Sequence, residues 1–331
     1  MGIREIFGFG GKSTSPTPQG FEAFTFGEVQ RTTDYMHEIL GYIYRMWHNG
    51  RYYEMPFNPQ KMYEAQYLSP YHASAMQLKV QLLCDLFIPS KQLGLIEFSK
   101  FATNAIVLGN GYLEEIPSRQ KGYALAYVSR PAIHMRRIMG DKYGSFQEKK
   151  ADLVEIPNKV LHFMYHDIEQ DFYGKPYYLA ALAAANLNQK ATHFRSLYYD
   201  NGNHAGFILY LNDPAHSLDD VKSLKKALKE SKGPGAFRNL FFYAPKGKKD
   251  GMQVIPVESA QAQDKFLDIK NVSRDDIMAM HRIPPNMIAV QSSNAGGFGN
   301  ITEARTAMIQ NEIIPIARLM QATHSILQFT L

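Results

Sequence analysis

Residues 176–202, Pro-Tyr-Tyr-Leu-Ala-Ala-Leu-Ala-Ala-Ala-Asn-Leu-Asn-Gln-Lys-Ala-Thr-His-Phe-Arg-Ser-Leu-Tyr-Tyr-Asp-Asn-Gly, decide the reading of the fold. Leu179, Ala183, Leu187, Ala191, Phe194 and Tyr198 recur at steps of three or four, the period of an amphipathic helix. Pro176 suits a first helical position and Asn201-Gly202 a stop. At about 1.5 Å per residue the helix would be roughly 39 Å long. A second long helix is predicted over about 258–282, carrying Phe266, Ile269, Val272, Ile277 and Met280, and Pro284-Pro285 ends it. Between the two lies a small α/β module. Its strands are expected at Gly206–Leu211, Leu240–Tyr243 and Val254–Val257, the last two joined by the basic turn 246–251. A Lys-rich helix on Val221, Leu224 and Leu228 would open at Ser217 with Asp220. A third helix should run from Asn300, with Glu303 as capping partner, nearly to Leu331. Ile309, Ile313, Ile316, Met320, Thr323 and Leu327 form its heptad-like seam, and Pro315 should kink it. Helices this long are hard to bury in so small a domain. Lateral packing between copies would bury them, and a head-to-tail interface that closes makes a ring.

Upstream, residues 10–20 are polar, Pro-rich and aperiodic, which reads as a mobile tail. From Phe21 to about Tyr173 helices alternate with extended runs in a mixed α+β region. Ser69-Pro70 starts a helix whose face is Ala73, Met76, Val80, Leu83 and Phe87, and Pro89 stops it. Phe98, Phe101, Ala105 and Leu108 mark another, after which Gly109-Asn110-Gly111 turns into a strand. Leu125–His134 and Lys159–Tyr165 read as extended.

The chain has 331 residues, and 36 Lys and Arg against 31 Asp and Glu give a net charge of +5. Residues 218–251 alone account for that +5, with nine cations against four acids. A basic module on a neutral body fits an acidic partner or nucleic acid, or else a solvated lysine face. A hydrophobic fraction of 45% excludes a wholly disordered chain. No apolar run reaches the roughly 18–20 residues of a membrane span, and the N-terminus lacks a secretory pattern. The single Cys84 forms no internal disulfide and reads as a small buried hydrophobe in a soluble, reducing compartment.

The tempting chemical motifs are each weak. Gly11-Lys12-Ser13 has Ile6 where a phosphate loop needs its first Gly. His162 and His166 sit on an expected strand, which would hold them about 13 Å apart. Glu114 and Glu115 are strand neighbours and point to opposite faces. Asp275, Asp276 and His281 lack a nucleophile. No catalytic residue, metal site or cofactor follows. The glycine-rich loop Gln291, Ser292, Ser293, Asn294, Ala295, Gly296, Gly297, Phe298, Gly299, Asn300 could be a phosphate cradle, a connector or a mobile contact element.

Taken together and in order, several segments resemble one family. They are Phe24-Thr-Phe-Gly-Glu, Asn49-Gly-Arg-Tyr-Tyr-Glu, Gly109-Asn-Gly-Tyr-Leu-Glu, Tyr173-Gly-Lys-Pro-Tyr-Tyr-Leu-Ala-Ala-Leu and Tyr198-Tyr-Asp-Asn-Gly-Asn-His-Ala-Gly. Asn239-Leu-Phe-Phe-Tyr-Ala-Pro-Lys-Gly, Ala279-Met-His-Arg-Ile-Pro-Pro, Asn294-Ala-Gly-Gly-Phe-Gly and Asn311-Glu-Ile-Ile-Pro complete the set. From about residue 22 onward the chain resembles the portal (head–tail connector) proteins of tailed phages, specifically the short PBSX-type family.

The resemblance implies a non-enzymatic α+β portal fold that forms a ring, usually of twelve subunits, at a capsid vertex of the virion. It is assembled in the bacterial cytoplasm, and double-stranded DNA passes through it in packaging and ejection. Its parts would be a flexible tail (1–21), a wing (22–175), two stem helices (176–203 and 258–283) and a clip (204–257). A tunnel loop (284–300) and a kinked helix (301–331) towards a minimal crown would follow. Partners implied are the terminase large subunit and head-completion, capsid and scaffold proteins, with no membrane. The clip lysines Lys222, Lys225, Lys226, Lys229, Lys246, Lys248 and Lys249 would dock the motor or touch DNA at the entrance. The loop Gln291–Asn300, in which Gln291, Ser292, Ser293, Asn294 and Asn300 are polar and uncharged and the glycines allow movement, would touch DNA transiently without reading bases, because a strongly cationic bore would trap a polyanion. Rival readings are a nucleotide-dependent nucleic-acid processing enzyme and a monomeric basic-domain DNA-binding protein.

Overall fold

The computed structural model describes residues 22–25, 39, 48–118, 122, 125–147, 150–200, 207–211, 240–243, 252–256, 262–288 and 300–331. The elements are β1 (Glu22–Thr25), α1 (Pro59–Ala65), α2 (Pro70–Leu86), α3 (Leu95–Leu108), β2 (Asn110–Pro117) and β3 (Leu125–Arg130). There follow β4 (Met135–Ile138), β5 (Lys142–Gln147), β6 (Lys150–Glu155), β7 (Val160–Met164), α4 (Ala181–Asp200), β8 (Phe207–Leu211), β9 (Leu240–Tyr243) and β10 (Met252–Pro256). Last come α5 (Ala262–His281), α6 (Ile301–Met308) and α7 (Ile314–Thr323), with a π-helical turn over Ile309–Ile313. Chain contacts separate two units, residues 32–192 with 265–331 and residues 1–31 with 193–264.

In the larger unit Pro70 opens α2, but the Ser69 hydroxyl does not cap it. It donates instead to Asn188 Oδ1 on α4, at 3.0 Å. The buried face of α2 is His72, Ala75, Met76, Lys79, Leu82 and Leu83, one residue round from the expected stripe. Helix α3 ends at Gly109 with φ +71°, a left-handed stop that suits glycine. Strand β2 is buried continuously over Asn110–Glu114 because both of its faces are covered. Gly111 lies against the Phe101 ring of α3, while Tyr112 faces Tyr143 of β5 at 5.8 Å. β2 is the centre of an antiparallel sheet β3-β2-β7 that pairs Tyr112 with His162. β4-β5-β6 form a second antiparallel sheet. The run expected to be extended to His134 breaks into a 3-10 turn at Ala132–His134 after Pro131. Helix α4 begins at Ala181, not Pro176. The preceding residues form tight turns, with Ala181 N–H bonded to Tyr178 O at 2.7 Å.

The C-terminal segment departs furthest from expectation. Proline lacks an N–H and crowds the carbonyl four residues earlier. The chain widens into the π-turn Ile309–Ile313 just ahead of Pro315, and Ile314 N–H bonds back five residues to Ile309 O. Pro315 then sits in the first turn of α7, where no N–H is required. The helix stops at Thr323 because His324 turns extended and its Nδ1 accepts the Ile326 N–H at 3.1 Å. The tail then folds back. Ile88 N–H bonds Gln328 O and Thr330 N–H bonds Leu86 O, both at 2.8 Å. Phe329 packs edge-on to Phe87, which stacks on Phe98 at 3.9 Å. Leu327 is buried by this return, not by a helical seam, so the expected run of helix to Leu331 is corrected.

The smaller unit holds one sheet in the order β1-β9-β8-β10, with β8 and β9 parallel. The basic turn therefore does not close a hairpin, because β8 lies between β9 and β10. Residues 22–25, expected in the wing, pair with β9 here, Phe24 opposite Phe241. An edge strand presents unpaired backbone groups, and this short segment covers that of β9. The tail 1–21 and the expected Lys-rich helix lie outside the described residues.

Candidate functional site

Of the loop residues singled out in the sequence, Gln291–Gly299 lie outside the described residues, as do all seven clip lysines. Asn300 is described. Its Oδ1 accepts the N–H groups of Thr302 (3.1 Å) and Glu303 (3.2 Å), and so caps α6. The candidate site is the ground from which this loop departs and to which it returns.

On the departing side, α5 is anchored to the body by Asn188 of α4, whose Nδ2 donates to Ser273 Oγ at 2.9 Å and Lys270 O at 3.3 Å. The helix closes with a Schellman cap. Arg282 N–H bonds Ala279 O and Ile283 N–H bonds Met278 O, both at 3.0 Å, and the buried Ile283 and Met278 side chains supply the apolar contact of such caps. Glycine usually occupies the left-handed position, but here it is Arg282, at φ +54°. That conformation costs an L-residue roughly 1–2 kcal/mol.

On the returning side, the π-turn carries Glu312. Its Oε1 meets Lys79 Nζ of α2 at 2.6 Å, and its Oε2 meets Arg282 Nη1 at 3.3 Å. Burial pulls the Lys79 ammonium below its ordinary value, and Glu312 opposes that pull. A cavity of about 130 Å³ opens here, with Lys79, Tyr165, Tyr177, His281, Arg282 and Glu312 among its walls. Beside it His72 Nδ1 and His281 Nε2 share a hydrogen bond of 2.8 Å, and both rings contact Tyr178. Burial lowers His72 to about 4. Burial, then His72 and Lys79, lowers His281 to about 2. One imidazole must therefore be donor and the other acceptor, both neutral. His72 Nε2 is buried without a hydrogen-bond partner among the described residues.

A second buried centre joins two of the quoted motifs. Asn110 Nδ2 donates to Leu108 O (2.8 Å) and Gly174 O (2.9 Å), and its Oδ1 accepts from Gly174 N–H (2.8 Å) and His162 Nε2 (3.0 Å). His162 Nδ1 faces the Tyr143 hydroxyl at 3.3 Å, and burial, then Arg137, lowers the ring to about 3 and keeps it neutral. Gly174 is obligatory, since a Cβ there would collide with backbone atoms of Gly109 and Tyr165.

The tempting residues have structural work. Glu114 is buried and binds Arg130 Nε and Asn158 Nδ2. Glu115, on the opposite face of β2, pairs with Lys159 at 3.4 Å. His162 belongs to the Asn110 centre, and His166 is exposed. Asp275 pairs with Arg274 at 2.8 Å, whereas His281 is buried against His72. Among the described residues no cluster of three metal-ligating side chains occurs. No helix among them is long and apolar enough to cross a membrane. Sequence reasoning missed His72, Lys79 and Glu312. Their signal was positional, because His72 and Lys79 lie seven residues apart on the same stripe as Met76 and Leu83.

The sequence profile described as phage portal protein matches residues 91–325 of this chain. The chain belongs to the phage portal protein family. It is 36% identical over 309 residues to the probable portal protein of Escherichia phage P2, covering 92% of this chain and 88% of that one. A portal protein of the HK97 family from Corynebacterium diphtheriae superposes with a TM-score of 0.54 at 13% identity, covering 80% of this chain and 91% of that one. A chain in the neck of a native gene transfer agent particle, computed with C12 symmetry, gives 0.56 at 16% identity, covering 80% and 79%. At such identities the likeness is one of fold. As a phage portal protein the chain is a capsid component in the path of DNA packaging and ejection, and the matched stretch holds Asn110, Gly174, Arg282 and Glu312.

Proposed function

We propose that this portal protein works as a passive, non-enzymatic DNA conduit, a closed ring of copies at one capsid vertex. The observation that carries the ring is the outer side of the paired helices. Leu187 on α4 and Ile269, Val272 and Met280 on one face of α5 are large apolar side chains left exposed by the described residues. Adjacent copies would bury them, and the C12 symmetry of the related neck supports twelve subunits. Residues 284–300 would form the tunnel loop, rooted in the Arg282 and Glu312 ground, and would touch DNA without reading bases. Lys246, Lys248 and Lys249 would face the terminase large subunit, and assembly would take place in the host cytoplasm with scaffold and head-completion proteins.

Deleting residues 292–298 in a packaging-competent phage tests the conduit. DNA retention in filled heads should fall while heads still carry a portal; unchanged packaging and unchanged retention would overturn the role given to the loop. Charge reversal at Lys246, Lys248 and Lys249 should weaken terminase binding and spare assembly. An unaffected affinity would count against that docking face.

A further inference from the structure

Arg282 holds a strained conformation that its own chain does not need an arginine to fill. Glycine at φ +54° would close α5 with the same two backbone hydrogen bonds and no steric penalty. The guanidinium is 75% exposed and makes one described contact, 3.3 Å to Glu312. That carboxylate already has the buried Lys79 ammonium at 2.6 Å. His281 beside them is uncharged, so two cations and one carboxylate leave a surplus positive charge at the rim of the cavity. A strained, exposed cation that is redundant within its chain has its use outside it.

The same helix carries the complement. Asp276 is exposed and makes no ion pair with the described residues around it. At about 100° per residue it lies roughly 120° round the axis from the position where Arg282 leaves the helix. It sits among the exposed apolar residues Ile269, Val272 and Met280. A helix with a base at one flank and an acid on the other is complementary to itself head to tail, which is the pairing that closes a ring.

We propose that Arg282 is an inter-subunit residue whose guanidinium donates to the Asp276 carboxylate of the adjacent copy of this chain. The proposal rests on the ring reading above. Such a pair at a rim sets register and orientation more than raw affinity.

The test uses the full chain with Cys84→Ser as background. Arg282→Cys and Asp276→Cys combined should give a ladder of covalent multimers when assembled rings are treated with a short bis-maleimide, which spans the gap that two thiols leave in place of an arginine–carboxylate pair, and neither single variant should. Rings without a ladder would overturn the pairing. Arg282→Gly, which relieves the strain, should leave subunit melting unchanged or higher and at least halve the salt concentration that dissociates the ring. A lowered subunit melting temperature with unaltered ring dissociation would show that the arginine serves only its own chain. Wild-type protein that stays monomeric removes the adjacent copy and overturns this proposal together with the ring reading.

Discussion

Two buried polar centres tie distant parts of the larger unit together, and they do so by different physics. At Asn110 every bond described is neutral, and one side-chain amide links the end of α3, β7 and the turn at Gly174 through four hydrogen bonds. At Glu312 the link is ionic, carries an extra cation, and lies beside an imidazole pair with one nitrogen unpartnered among the described residues. A fully satisfied neutral network fixes geometry and has nothing left to offer a partner. A charged centre with a surplus donor at its rim does, and its Arg282 stands just ahead of the loop.

The comparison is broken most severely at Gly174. Gly174→Ala forces a Cβ into the backbone of Gly109 and Tyr165, neither of which can yield, and should cost about 4 kcal/mol or more. Chemical denaturation of the variant would measure this, and near-wild-type stability would mean that the neutral centre is looser than described. At the ionic centre, Lys79→Met leaves the Glu312 carboxylate only its longer contact with the exposed Arg282 and should cost about 3 kcal/mol, the lower end for a broken buried pair. Lys79→Met with Glu312→Leu should recover most of that, because a buried ion pair is replaceable by well-packed apolar residues. No such rescue is available to Asn110, three of whose four hydrogen bonds are to backbone groups.

Acid separates the two centres by count. The folded-state values of His72, His281 and His162 all lie below the ordinary imidazole value of 6.5. The unfolded chain therefore takes up protons first as the pH falls, so the stabilisation is complete above about 6.5 and is lost as the pH falls through the folded values of about 4, 3 and 2. By pH 5 each ring should have cost about 2 kcal/mol. Two of the three rings belong to the ionic centre, so its His72→Gln, His281→Gln double variant should flatten the stability–pH slope more than loss of His162. Equal slopes would place the proton uptake elsewhere. The smallest effect is expected at Asn300→Ala, about 1 kcal/mol for a lost cap on α6, read as a small drop in melting temperature.

How far the sequence reached follows from the range of each interaction. Helix α3 and its stop were legible because Gly109 is a local signal, and α6 because Asn300 and Glu303 are three residues apart. The Asn110 centre was visible only as two quoted motifs, since 64 residues separate Asn110 from Gly174 and nothing local says that they meet. Lys79 was read past because a lysine within an apolar stripe is buried only when a partner arrives, here from 233 residues away. Pro315 was seen as a disturbance, but whether the helix bends or widens depends on its neighbours, and widening is what aims Glu312. At the C-terminus the seam was extended through Thr323 to Leu327 on spacing alone, where no Gly or Pro announces that the chain turns back onto Phe87.

Purified full-length protein, viewed by negative-stain imaging alongside native mass measurement, tests the whole account most directly. It should show annuli with a central opening wide enough for duplex DNA, at a mass near twelve chains. A particle that remains a single chain at every concentration, with capsid partners supplied, would contradict it.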